Sequence, residues 1–321
     1  MTVNWFQTDA AYEFFSSLPE LFIPFKVETA HARCVGYITK EKNVIKQFLT
    51  RRAIIIGGPA LADDCTSEEV EQLMNEVKKK VKTLGGAIYI ESRNFNDYTP
   101  WREGFIKAGF NYEEHNNFHI DTTSFAGEKG CYEQVTSGLM GKGRVRDIKT
   151  SFRDGAIVID NPTIEQIRAY YVILKHLYTT KVKTPLFPLS FFEKLYEQPD
   201  AHFILVGLKH NDAVEIIGGT VCVAQEGKCL YEWFVAGRDG EWKSIFPSSV
   251  ATYAGIRYAA EHNMPRFDMM GAGTPKEVYG VRDFKARFGG ELVEHGRYKY
   301  ICKPLQYKCG EFGVKILKKL K

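Results

Sequence analysis

LYEWFVAGRDGEWKSIFPSSVATYAGIRYAAEHNMPRFDMM, running from Leu230 to Met270, is the stretch on which the architecture turns. Its apolar opening belongs to a strand predicted over Lys228–Ala236, stopped by Gly237-Arg238-Asp239-Gly240. A helix is predicted from Pro247 to Glu261, since proline suits a first helical turn, where the N–H it lacks has no intrahelical partner. Phe267-Asp268-Met269-Met270 reads as the next strand, followed by a helix around Val281–Arg287 and a last strand at Arg297–Cys302. Upstream, strands are expected at Phe203–Leu208 and Glu215–Ala224. Before them a helix near Ile164–Tyr178 carries Ile164, Ile167, Tyr170, Tyr171, Leu174 and Leu177 on one face.

The first half follows the same plan. Strands read at Val35–Thr39 and Arg52–Ile56, the second ending at Gly57-Gly58-Pro59. Thr66 or Ser67 caps a helix whose first turn holds Glu68 and Glu69, where carboxylates offset the helix dipole. Val70, Leu73, Met74, Val77, Val81 and Leu84 follow at helical spacing, and Lys78, Lys79, Lys80 and Lys82 read as a solvated face. Gly85-Gly86 ends this helix before a strand at Ala87–Ile90, a short helix closes at Lys107–Phe110, and a last strand covers Phe118–Ile120. Phe105 lies 48 positions after Gly57, and Phe284 lies 47 after Gly237. FIKAGF (Phe105–Phe110) also echoes FKARFGG (Phe284–Gly290), which points to duplication. In each half a strand splaying at glycines, a packed helix, a strand, a short helix and a final strand describe a GCN5-like acyltransferase core. The fold class is therefore α/β with mixed sheets. Two tandem GCN5-like domains are expected at 1–138 and 139–304, then a basic amphipathic C-terminal helix at 305–321 with Phe312, Ile316, Leu317 and Leu320 on one side.

At 321 residues the chain suits two domains of about 150 residues each. A net charge of +4 permits an anionic ligand without demanding nucleic acid. Seven scattered cysteines without a Cys-x-x-Cys pair argue against a disulfide framework or zinc knuckle, and the eight histidines show no metal-ligand spacing. MTVNWFQTDA lacks the basic and apolar regions of a signal peptide. A cytoplasmic protein is expected, with the lysine-rich terminal helix a candidate for peripheral contact with the inner membrane face.

The second half carries a more specific pattern. SIFPSSVATYAGIRYAAEHNMPRFDMMGAG (Ser244–Gly273), followed by YGVRDFKARFGG (Tyr279–Gly290), resembles the signature of the Fem-type aminoacyltransferases. IKTSFRDGAIV (Ile148–Val158) is similar to the segment leading into that family's second acyltransferase domain, and IIIGGPAL (Ile54–Leu61) to the matching strand end in its first. The resemblance implies tandem acyltransferase domains. It also implies transfer of an aminoacyl group from aminoacyl-tRNA to an amine on the stem peptide of a peptidoglycan precursor, with no resident cofactor. Two other readings stand beside it: an N-acyltransferase using acyl-CoA on another amine, and a non-catalytic tandem acyltransferase fold serving as a binding module.

Aminolysis of an ester needs a deprotonated amine, close approach and a positive group where charge develops on the carbonyl oxygen. Lys285 matches the family's catalytic lysine and suits that last role, with Phe284 flanking the acceptor channel. Glu91, after the first domain's central strand, stands where the family has an acidic residue that orients or deprotonates the amine. Tyr231 and its neighbour Glu232 lie on the strand that lines the acceptor site in the family. Asp268 resembles a strand-end aspartate and is assigned to structure. Arg144, Arg146, Lys149 and Arg153 form a basic run that suits the phosphates of a nucleotide-linked or lipid-linked precursor. The glycine-rich pyrophosphate loop of acetyl-CoA enzymes is replaced by AGRDGEWKSIFPSS, with bulky Trp242 inside it, which disfavours ordinary CoA binding.

Overall fold

The computed structural model describes residues 4–123, 140–182, 184–210, 213–277 and 279–310. They form two compact units, one of Met1–His115 with Glu294–Lys321 and one of Asn116–Val293. In the first unit the chain lays down α1 (Asp9–Ser16), β1 (Phe22–Glu28), β2 (Ala32–Thr39), α2 (Val44–Thr50), β3 (Ala53–Gly57) and β4 (Ala60–Leu61). It continues with α3 (Ser67–Thr83), β5 (Tyr89–Asn94), α4 (Arg102–Lys107) and β6 (Asn111–Glu113). The second unit starts with β7 (Asn116–Asp121), α5 (Lys142–Arg153), β8 (Ala156–Ile159), α6 (Ile164–Leu177), α7 (Leu189–Tyr196) and β9 (Ala201–His210). It finishes with β10 (Ala213–Gln225), β11 (Cys229–Gly237), α8 (Pro247–Glu261), β12 (Arg266–Gly271), α9 (Gly280–Ala286) and β13 (Glu291–Glu294). The chain then returns to the first unit for β14 (Arg297–Ile301).

In the first sheet the order is β1-β2-β3-β5-β14-β6, with β4 beside β2. Thr66 and Glu69 close a capping box on α3, which satisfies two amide donors that a helix start leaves open. Val70, Leu73, Met74, Val77 and Val81 of α3 are buried in one core with Ile55, Ile90 and Tyr298 of the sheet. Gly85 and Gly86, both at positive φ, then turn the chain away, a conformation that costs glycine little. Another layer escapes the periodicity reading. Trp5, Phe6, Phe14 and Phe15 at the N-terminus are buried, and Phe15 lies 4.5 Å from the Tyr37 ring. Gln7 ties this layer down by donating to the Val35 and Ile56 carbonyls at 3.0 and 2.9 Å.

In the second sheet the order is β13-β7-β12-β11-β10-β9-β8. Helix α8 begins at Pro247, as the sequence predicts, and is buried along most of its length, with Val250 and Ala251 in one apolar cluster and Tyr253 and Ile256 in another. The basic run at 142–153 forms a helix whose Ile148 joins the core while its lysines and most of its arginines face out.

Both final strands fall in the other half's sheet, which corrects the expected boundary at 138/139. Residues 116–121, read as the end of the first domain, form β7 and pair with β12 from Arg266↔Asp121 to Gly271↔Asn117. Residues 297–301, read as the end of the second, form β14 between β5 and β6. Alternating side chains specify that a strand forms and which face is buried, but not which sheet receives it.

One contrast between the sheets positions the site. In each, a parallel strand pair flanks the central helix. β3 and β5 stay paired over five residues, from Ala53↔Ile90 to Gly57↔Asn94. The strand end is filled from within, because Asn4 donates to the Gly57 carbonyl at 3.3 Å and Tyr98 to the Pro59 carbonyl at 2.5 Å. β11 and β12 pair only from Cys229↔Arg266 to Tyr231↔Asp268 and then part, although β11 continues to Gly237 and β12 to Gly271. The splay expected in both halves therefore occurs in the second alone.

Residues 304–310 are helical, and Tyr307 packs edge-on against Tyr89 at 5.7 Å. The rest of the expected C-terminal helix, with Phe312, Ile316, Leu317 and Leu320, lies outside the described residues. Among the described residues no helix is long and apolar enough to cross a membrane.

Candidate active site

Lys285 projects from α9 to β12 beyond its last residue paired with β11. Its ammonium donates to the Met269 carbonyl and, at 2.9 Å, to the Gly271 carbonyl, and the residue is only 6 % exposed. Arg282, one turn earlier, fixes α9 by donating to the Ala272 carbonyl at 3.0 Å and to the Thr274 carbonyl.

Glu232 follows Tyr231, the last β11 residue paired with β12, and is 4 % exposed. The β10–β11 register shifts here: Val221 faces Phe234 and Cys222 faces Glu232, leaving Trp233 as the extra residue of a bulge. The Glu232 carboxylate accepts from Thr252 of α8 at 2.8 Å and from Thr220 of β10 at 3.3 Å. Burial pushes the carboxyl up to about 7, against the opposing pull of Lys285 and the two hydroxyls. Burial likewise brings Lys285 down to about 8, with Glu232 and Asp268 opposing. Two buried groups of opposite charge thus both titrate near neutrality, a property found in proton-handling sites. Thr220 and Thr252 were not singled out from the sequence. A glutamate inside the apolar run LYEWFVAG is the signal that points to them, since a carboxylate there requires buried donors.

The other candidates separate. Tyr231 is buried, and its hydroxyl lies 3.5 Å from the Arg266 guanidinium. Phe284 is half-buried and meets Phe288 edge-on at 5.2 Å. Arg144 does not stand free for a phosphate. Its guanidinium lies 4.6 Å from the Phe284 ring and 4.4 Å from the Phe288 ring, and it donates to Ser249 and to the Phe284 carbonyl. This corrects its expected role and makes it a buried brace for α9. Arg146, Lys149 and Arg153 share the exposed face of α5; the Arg146 side chain is 77 % exposed and 3.5 Å from Asp147, and Arg153 pairs with Asp154 at 2.7 Å.

Glu91 belongs to the first unit and Lys285 to the second. It receives Arg93 at 2.7 Å and has Arg297 at 3.4 Å and Lys299 at 3.8 Å. Burial alone would raise its carboxyl, but these three cations bring it to about 2. A carboxylate so held is a weak base at neutral pH, which counts against the deprotonating role expected of it. The lysines of α3 are also less uniform than a solvated face. Lys78, Lys79 and Lys82, with Tyr300, Cys302 and Lys303, line a cleft of about 670 Å³.

The loop before α8 is occupied by its own side chains. Arg238 is held by Glu215 and Glu241 and lies 5.2 Å from the Trp242 ring. The Asp239 carboxylate accepts from the Ser248 amide at 3.2 Å, at the helix start where the phosphates of CoA would find donors.

The sequence pattern of the FemAB family matches residues 207–315, in agreement with the resemblance read from Ser244–Gly290. A crystal structure of FemX is similar over 95 % of this chain and 94 % of that chain, with 15 % identity and a TM-score of 0.69. The structure of L-PGS from Bacillus licheniformis is similar over 91 % and 87 %, with 12 % identity and a TM-score of 0.56. A tandem GNAT protein from the clavulanic acid biosynthesis pathway is similar over 87 % and 82 %, with 7 % identity and a TM-score of 0.52. These likenesses establish the tandem acyltransferase fold. No curated protein sequence matches the chain.

Proposed function

We propose that this Fem-type chain transfers an aminoacyl group to an amine of a peptidoglycan-precursor stem peptide. The observation that carries the reading is that Lys285 and Glu232 are both buried where β11 and β12 part, each opposing the other's burial shift, within the stretch that matches the family. Aminolysis forms a C–N bond at the ester carbonyl, breaks the C–O bond to the donor and releases one proton from the amine. An ammonium has three donors, and Lys285 spends two on Met269 and Gly271. The third is left to stabilise the oxyanion, an effect on the order of a hundredfold or more in rate. Glu232, at about 7, is matched to take up the proton the amine loses. The departing hydroxyl of the donor regains a proton from Lys285, which at about 8 gives one up readily.

The donor is proposed to be an aminoacyl-tRNA. Support comes from Asp239, whose carboxylate occupies the start of α8, and from the glutamates that neutralise Arg238. Both features repel the diphosphate of an acyl-CoA. The outward stripe of Arg146, Lys149 and Arg153 is the proposed contact for the phosphates of the nucleic-acid donor or of the precursor. Thermal unfolding with added ligand tests this choice. A nucleotide-linked muramyl-pentapeptide should raise the midpoint and acetyl-CoA should not. Stabilisation by acetyl-CoA alone would favour the acyl-CoA enzyme, and stabilisation by neither would favour a binding module of other specificity.

A further inference from the structure

Lys285 bonds two carbonyls of one strand, and ordinary strand geometry does not permit this. Residues i and i+2 of an extended strand lie about 6.6 Å apart. One nitrogen making two bonds of about 2.9 Å reaches acceptors no more than about 5.8 Å apart. The strand must therefore bend between Met269 and Gly271, and it does so at Met270. This residue has φ +59°, a left-handed conformation that non-glycine residues rarely adopt without support. The ladder to β7 is broken at the same place, between Asp268 and Gly271. What holds the bend is Asp268. Its carboxylate is 0 % exposed and accepts from the Met270 amide at 2.7 Å, while its other oxygen lies 3.1 Å from Nε2 of His119, its register partner on β7.

We propose that Asp268 is a positioning residue for Lys285, holding the left-handed turn at Met270 that gathers the Met269 and Gly271 carbonyls onto one ammonium. The strand-end aspartate is then more than a loop anchor. It aims the cation that the proposed transfer reaction uses, and its catalytic consequence rests on that reading. A glycine at 270 would adopt the left-handed turn without the carboxylate, so positioning through the turn is separable from charge and from general stability.

The test uses the full chain and reads Lys285 directly, by the rate at which an amine-acetylating reagent labels it, measured by peptide mass spectrometry. Lys285 in the starting protein should be strongly protected. Asp268→Ala should label at least about tenfold faster. Asp268→Asn, which keeps an acceptor for the Met270 amide, should stay protected, and adding Met270→Gly to Asp268→Ala should restore protection. Transfer should follow the same order, with loss in kcat and little change in KM. An Asp268→Ala chain that is folded and still protected overturns the proposal, as does Asp268→Asn labelling as fast as the alanine variant. If Asp268→Ala does not fold, the double variant decides: folded with Lys285 protected, it supports the turn's role, and any other result overturns it. The two readings fail separately. Should Lys285→Ala prove fully active while protection behaves as expected, the transfer role falls and the positioning stands.

Discussion

Lys285 and Glu232 are each displaced toward the other's titration range because burial disfavours charge on both, and their mutual attraction, the Asp268 carboxylate beside Lys285 and the two hydroxyls on Glu232 offset part of that cost. Two consequences follow at this scale. A reaction that needs Glu232 ionised and Lys285 protonated gives a bell-shaped pH profile, rising through about 7 and falling through about 8. Glu232→Gln should abolish the rising limb, and a profile unchanged in that variant would remove Glu232 as the base. The second consequence is for stability. Glu232 has a folded pKa above its unfolded value of 4.5, so its contribution is complete below 4.5 and lost as pH rises through about 7. A shift of this size corresponds to about 3 kcal/mol. Between pH 5 and 8 the unfolding free energy of Glu232→Gln should therefore gain on that of the parent by up to about that amount, measured by urea titration at each pH. Lysine and aspartate at 285 and 268 were legible as residue types in a recognisable motif. The left-handed Met270 was not, because methionine carries no signal for positive φ. Nor was Arg144's burial, since a basic run reads as solvated until two phenylalanines close over one of its members.

Elements were legible where punctuation marks them. Helix α3 has its capping box at Thr66 and its glycine pair at 85–86, and α8 has Pro247, so both starts fall where expected. Helix α5 was missed because charges dominate it, although Val145, Ile148 and Phe152 recur at helical spacing. The N-terminal aromatic layer was missed because Trp5, Phe6, Phe14 and Phe15 belong to short pieces with too few turns to show a period. Packing between elements is tight where side chains are small. A Cβ on Gly104 of α4 would collide with the Ser67 carbonyl at the start of α3. Gly104→Ala should cost about 1–3 kcal/mol, the usual range for overpacking, despite alanine's better helix propensity. A chemical-denaturation midpoint equal to that of the parent would show that α3 and α4 can separate at no cost.

Across the whole molecule the duplication was legible as a matched spacing, but the exchange of final strands was not. A period reports which elements recur and is silent on their hydrogen-bond partners. The exchange makes the cut point predictable. A fragment of residues 116–293 carries every strand of the second sheet except the last residue of β13, and should fold cooperatively when expressed alone. A fragment of 139–304 lacks β7, leaves β12 without its outer neighbour and carries β14 without its sheet, and should not. Sharp, dispersed amide NMR signals from the second and not the first would reverse this assignment. Transfer by the intact chain bears most directly on what the fold is for. Incubated with a muramyl-pentapeptide precursor and a pool of aminoacyl-tRNAs, the protein should add one aminoacyl residue to the peptide amine, seen as a mass increase, and acetyl-CoA should not replace the tRNA. Lys285→Ala should slow this addition at least about a hundredfold with the fold intact. A folded Lys285→Ala chain that transfers at the parent's rate would contradict the role given to Lys285.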